Sequence, residues 1–140
     1  MTNRKVHYIV KDQMPLILPD DASVKEACCR MWEKCVGSVL VQDAKGKLAG
    51  IFTGRDAVRF LAKGLDDAGA PLSEAMTRNP ITITPEQRAI DALRLMSEHG
   101  FRHLPVVDGD KIWGIVSRGD FKGQEIEHLD HEQHLWECIR

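Results

Sequence analysis

Two segments of this chain, Gly50-Ile51-Phe52-Thr53-Gly54-Arg55-Asp56 and Gly114-Ile115-Val116-Ser117-Arg118-Gly119-Asp120, place a hydroxyl three residues ahead of a carboxylate. Both read as the end of a strand and the opening of a helix. Two kinds of chemistry fit that junction. Thr53 and Ser117 are good N-caps, and Asp56 and Asp120 complement the positive end of a helix dipole. A hydroxyl and free N–H groups at a helix start also cradle a phosphate, while a nearby carboxylate accepts both hydroxyls of a ribose. Spacing leaves both open. Arg55 and Arg118, just after the two hydroxyls, suit phosphate recognition, or else are exposed first-turn side chains.

The elements that must position these residues come in two copies. At an offset of 65, Pro15-Leu16-Ile17-Leu18 falls on Pro80-Ile81-Thr82-Ile83, Ala27 on Ala92, Met31 on Met96, Glu33 on Glu98, Val41 on Val106 and Asp43 on Asp108. One residue is lost in a turn, the offset becomes 64, and Gly50-Ile51 meets Gly114-Ile115 while Asp56 meets Asp120. The chain is a tandem duplication.

Each copy has the same order. A short extended stretch (16–18, 81–84) precedes a helix with apolar residues at helical spacing, Val24, Ala27, Cys28 and Met31 in one copy, Ile90, Leu93 and Met96 in the other. A strand follows (36–41, 103–107), then a Gly- and Asp-rich turn, a second strand (48–52, 112–116), and a second helix, 55–63 in the first copy. The fold class is α+β (α/β mixed), two β-α-β-β-α repeats packed with pseudo-two-fold symmetry and ligand clefts between them. Packing is required because about 45 residues cannot bury a core alone. The division is repeat 1 over 8–64, a linker and lead-in over 65–79, repeat 2 over 80–123 and a helical tail over 124–140.

The chain has 140 residues, 43% hydrophobic and 29% charged, with 19 basic against 21 acidic residues and a net charge of −2. That profile is a globular domain without an electrostatic footprint for nucleic acid or anionic lipid. No apolar run is long enough to span a membrane and no signal peptide is read, so the expectation is cytoplasmic. Cys28, Cys29, Cys35 and Cys138 form neither a disulfide framework nor a CxxC pair. Cys28 reads as a small core residue, Cys29 as less buried, and Trp113 as a packing residue. In the tail, His128, His131, His134 and Cys138 have helical ligand spacing, but interleaved acids favour a solvated face, so no metal is assigned. Ile126, Leu129, Trp136 and Ile139 leave an apolar stripe that needs a partner. No nucleophile–base pair, P-loop or HExxH occurs, so the chain does not read as an enzyme.

The pattern resembles a tandem pair of cystathionine-β-synthase (CBS) domains, a Bateman module. The resemblance rests on Met76-Thr77-Arg78-Asn79-Pro80, on the run from Leu95 to Asp108 containing Gly100-Phe101-Arg102-His103-Leu104-Pro105-Val106, and on Gly114–Asp120. Copy one matches less fully, with Val36-Gly37-Ser38-Val39-Leu40-Val41 in place of the Phe-Arg-His-Leu-Pro-Val run. The resemblance covers residues 8–122. It implies a non-catalytic regulatory module that binds an adenosyl ligand (AMP, ADP, ATP, NAD or S-adenosylmethionine) and signals to a partner protein, with no catalytic cofactor. Asp56 and Asp120 would hold ribose, Thr53 and Ser117 would face phosphate, and Ile17 and Thr82 would line adenine pockets. Gly37, Ser38, Arg102 and His103 are the matching positions on the strand before each hairpin. More positive charge in copy two makes the two sites unequal. The family further implies a homodimer through helical faces, for which Val58, Phe60, Leu61, Ala92, Leu93, Leu95 and Met96 are candidates. The competing reading is a structural dimerisation module with vestigial clefts.

Overall fold

The computed structural model, which describes residues 3–64, 69–121, 123, 125, 126 and 129, is a mixed α+β fold divided into two units. The first unit takes Met14–Ile81 and Gly109–Ile112; the second takes the chain up to Gln13, Thr82–Asp108, and the chain from Trp113 on. Helix α1 (Val6–Val10) therefore belongs with the second repeat.

The first repeat supplies β1 (Ile17–Pro19), α2 (Val24–Lys34), β2 (Ser38–Gln42), β3 (Leu48–Thr53) and α3 (Gly54–Ala62), followed by the lead-in α4 (Leu72–Ala75) and β4 (Thr77–Arg78). The sheet order is β1-β2-β3-β4, with β1 parallel to β2 and the other pairs antiparallel. Ser23 caps α2 by accepting from Glu26 N at 3.0 Å, and the helix buries Val24, Ala27 and Met31 as its spacing demands. It ends at Cys35 in a left-handed conformation (φ 54°). Val36 N donates to Met31 O at 3.0 Å, closing the helix end. That is why the strand expected from Val36 begins at Ser38. Val39, Val41, Phe52 and Phe60 meet the helix in the core, and Leu72, Ala75 and Met76 of the lead-in complete it.

The second repeat supplies α5 (Ala89–His99), β5 (His103–Asp108), β6 (Lys111–Ser117) and a single 3-10 turn, Arg118–Asp120. The extended stretch expected over 81–84 reduces to one parallel bridge, Ile83 to Val106, in which Ile83 N donates to Pro105 O and Val107 N to Ile83 O. The core joins Ile83, Ile90, Leu93, Met96, Leu104, Val106 and Val116 to Val6 and Val10 of α1. Each repeat's core is thus completed by the other's lead-in. Of the residues expected on an interface, Phe60 is buried in the first core and Ala92, Leu93 and Met96 in this one; Leu95 is partly buried, and Val58 and Leu61 stay exposed. The apolar residues of α5 follow helical spacing, and α1 covers a face that the repeat by itself would leave open.

Trp113 packs edge-on against His7, with ring centroids 5.5 Å apart. From the tail, Leu129 is buried and Ile126 packs beside it on the second core. His128, His131, His134, Trp136, Cys138 and Ile139 lie outside the described residues. Cys28 packs against the first core, where burial, and secondarily Cys29, pushes its thiol pKa up. Cys29 is exposed.

Candidate functional site

In the first copy the strand register sets Ser38 opposite Thr53, and Gly54 N donates to Gly37 O at 3.2 Å. Gly37, Ser38, Thr53 and Asp56 thereby come together. Asp56 is buried and every side of its carboxylate is engaged. Oδ2 accepts from Thr53 N at 2.8 Å and from Thr53 Oγ1 at 3.1 Å. Oδ1 accepts from Arg59 Nη2 at 2.7 Å and from Thr77 Oγ1 at 2.9 Å. Arg59 Nη2 also donates to Ala75 O at 3.2 Å. Arg55 is exposed and takes no part in this network; Arg59, which sequence reasoning missed, does. Ile17 is half-buried in β1, paired with Leu40.

The second copy repeats the frame. Arg118 N donates to Arg102 O at 2.9 Å, the counterpart of Gly54 to Gly37. Asp120 Oδ2 accepts from Ser117 N at 2.7 Å and from Ser117 Oγ at 3.2 Å. The resemblance ends at Oδ1. Among the described residues, Asp120 Oδ1 accepts no hydrogen bond, and Arg118 Nη1 is buried without a partner. A buried guanidinium nitrogen left unbonded is costly. Arg118 is half-buried, unlike the exposed first-turn side chain that was the alternative to phosphate recognition. His103 is half-buried at the start of β5, and its pKa is pushed down by burial and then by Arg102, with Asp120 opposing. Thr82 is exposed, one residue before the Ile83 bridge.

The cause of the asymmetry is readable once the network is known. At the repeat offsets, Arg59 corresponds to Gly123 and Thr77 to Asp12. A glycine and an acid replace the two donors, so among the described residues no counterpart of Arg59 or Thr77 reaches Asp120 Oδ1. The glycine that opens each motif has a shared reason. A Cβ on Gly50 would lie 2.6 Å from Met76 Sδ and from Thr77 O, and one on Gly114 would lie 2.8 Å from Gln13 Oε1. In both copies a lead-in segment crosses directly over the strand.

The model of the CBS domain family matches the chain twice, over residues 6–63 and 72–124. The chain belongs to the CBS domain family. This CBS pair is 41% identical over 102 residues to the CBS domain-containing protein CBSCBSPB2 of Arabidopsis thaliana, covering 72% of this chain and 19% of that protein. It therefore spans well under two thirds of such relatives. Among solved structures, a putative signal-transduction protein with CBS domains from Burkholderia ambifaria superimposes with TM-score 0.76 at 32% identity, covering 84% of this chain and 90% of that one. The CBS domain pair of protein MJ0100, solved with 5′-methylthioadenosine and S-adenosyl-L-methionine, gives TM-score 0.76 at 27% identity, covering 93% and 98%. Among the described residues, no helix of the CBS pair is long and apolar enough to cross a membrane.

Proposed function

We propose that this CBS pair is a non-catalytic regulatory module, and that it binds one adenosyl compound per chain at the second-copy motif and passes occupancy to a partner protein. One observation carries the reading. The second motif offers an unbonded carboxylate oxygen and a buried, unbonded guanidinium nitrogen within one turn, whereas the first motif's carboxylate is fully engaged. Ribose hydroxyls donate and phosphate oxygens accept, which is the complementary set. In this reading Asp120 holds the ribose, Ser117 and Arg118 face phosphate with Arg102 and His103 adding positive character, and Thr82 borders the adenine. The related pair bound to methylthioadenosine and S-adenosylmethionine supports the ligand class; AMP, ADP, ATP and NAD belong to the same class. In this reading the module is a cytoplasmic homodimer, an assembly supported by exposed Trp32, Val58 and Leu61 on the first unit.

Calorimetric titration with S-adenosylmethionine, AMP, ATP and NAD tests the reading. The expected result is one site per chain for at least one of them, abolished by Asp120→Ala. Equal affinity in wild type and Asp120→Ala would sink it, and no binding by any of the four would favour the purely structural module.

A further inference from the structure

Arg4 is far from the second motif in sequence, yet its guanidinium closes upon it. Nη2 donates to the backbone carbonyl of Asp120 at 2.8 Å and to Glu125 Oε1 at 3.2 Å, and Nε donates to Glu125 Oε2 at 3.2 Å. The Glu125 side chain is 1% exposed and that of Arg4 21%. A planar fork meeting two carboxylate oxygens admits little freedom. The backbone of this segment is fixed as well. Arg4 O accepts from Ala89 N at 2.8 Å, and Val6 N donates to Gln87 O at 2.8 Å. Asn3 Oδ1 accepts from Ile90 N at 3.3 Å, and Asn3 O accepts from Arg88 Nη1 at 3.1 Å. Arg4 thus ties the start of α5 to the turn that follows β6.

The two copies hold their acids from opposite ends. Asp56 is gripped by its carboxylate, through Arg59 and Thr77. Asp120 is gripped by its main-chain carbonyl, through Arg4, which leaves carboxylate oxygen Oδ1 unbonded. At the repeat offsets Arg4 and Glu125 correspond to Gly69 and Leu61, which carry neither a guanidinium nor a carboxylate, so this bracket belongs to the second copy. We infer that Arg4 is a positioning residue for Asp120: it sets the Arg118–Asp120 turn from the main-chain side and keeps Oδ1 oriented for a ligand. The importance of this for binding rests on the ligand reading above; the positioning is a property of the ligand-free protein. By linkage, ligand at Asp120 and docking of the N-terminal segment strengthen each other.

The test uses the full chain with Arg4→Lys and Arg4→Ala. Lysine keeps a charge opposite Glu125 but cannot serve both carboxylate oxygens and the carbonyl as a planar fork, and it decides the matter if Arg4→Ala does not fold. Amide hydrogen exchange is followed without ligand, and S-adenosylmethionine is then titrated as the probe. The Ser117 amide, which donates to Asp120, should exchange about tenfold faster in the variants while the Thr53 amide keeps its wild-type rate, and the probe should bind about tenfold more weakly. An unchanged Ser117 rate, or equal acceleration at Ser117 and Thr53, overturns the inference. If Ser117 accelerates selectively but wild type binds none of S-adenosylmethionine, AMP, ATP and NAD, the positioning role stands and the ligand reading falls.

Discussion

Thr77 Oγ1 donates a 2.9 Å hydrogen bond to Asp56 Oδ1, and that hydroxyl comes from β4, which leads into the second repeat. The first-copy carboxylate is therefore the pin that fastens the lead-in to the first core, together with Arg59 on Ala75 O. Asp56→Ala removes the acceptor for the Thr53 N–H and for three donors besides, and should cost about 3 kcal/mol in urea denaturation, because part-buried donors lose their acceptor. Asp120→Ala removes a cap alone and should cost about 1 kcal/mol. Thr77→Val should also cost about 1 kcal/mol. Equal losses for the two aspartates would show that the networks are not as unequal as their geometry.

The two motif glycines should also differ in tolerance. Alanine at Gly50 meets the backbone carbonyl of Thr77 at 2.6 Å, which cannot move without displacing β4. Alanine at Gly114 meets Gln13 Oε1 at 2.8 Å, the end of a flexible side chain, and Val10 Cβ at 3.2 Å. Gly50→Ala should destabilise by about 3 kcal/mol and Gly114→Ala by about 1 kcal/mol. Thermal unfolding of the two variants ranks them directly, and the reverse order would contradict the packing.

His103 makes stability depend on pH. Burial, then Arg102, hold its pKa below the ordinary 6.5, so the unfolded chain takes up a proton at higher pH than the folded one. Its contribution to stability is complete above 6.5 and is lost as pH falls through the folded-state value. His103→Gln should flatten the curve in that window, as read from denaturation midpoints between neutral and mildly acidic pH. An unaltered slope would remove His103 as its source.

Arg118 should discriminate among adenosyl ligands. With Nη1 buried and unbonded, a phosphate supplies a charged acceptor that adenosine lacks. Arg118→Gln should weaken AMP about tenfold or more and leave adenosine unchanged, since a charge-assisted bond contributes about 1.5–3 kcal/mol. Parallel titrations of the two compounds check this; equal weakening would point to a role in shape alone.

Assembly should run through the first unit's helices. Trp32 of α2 is 86% exposed, and Val58 and Leu61 of α3 are 66% and 65% exposed, an unusual set to leave in water. Light scattering of the wild type should give twice the 15.8 kDa chain mass. The double variant Val58→Glu, Leu61→Glu should give a single chain mass with its circular dichroism intact. A monomeric wild type would end the homodimer proposal.

The duplication, the helical faces of α2 and α5, and the hydroxyl–carboxylate caps were legible in the amino-acid sequence, because each depends on residues a few positions apart whose spacing follows backbone geometry. The start of β2 was not, since Val36 alternates like a strand residue while its N–H closes the preceding helix. Nor did local pattern reveal which lead-in completes which core. That exchange brings Thr77 to Asp56 across 21 residues and Arg4 to Asp120 across 116. Two motifs of equal sequence quality consequently became one engaged carboxylate and one with an open oxygen. Local residues set the frame of each motif, but hydrogen-bond satisfaction at a buried carboxylate depends on every group the fold brings near it. Only the tertiary structure decides which groups those are.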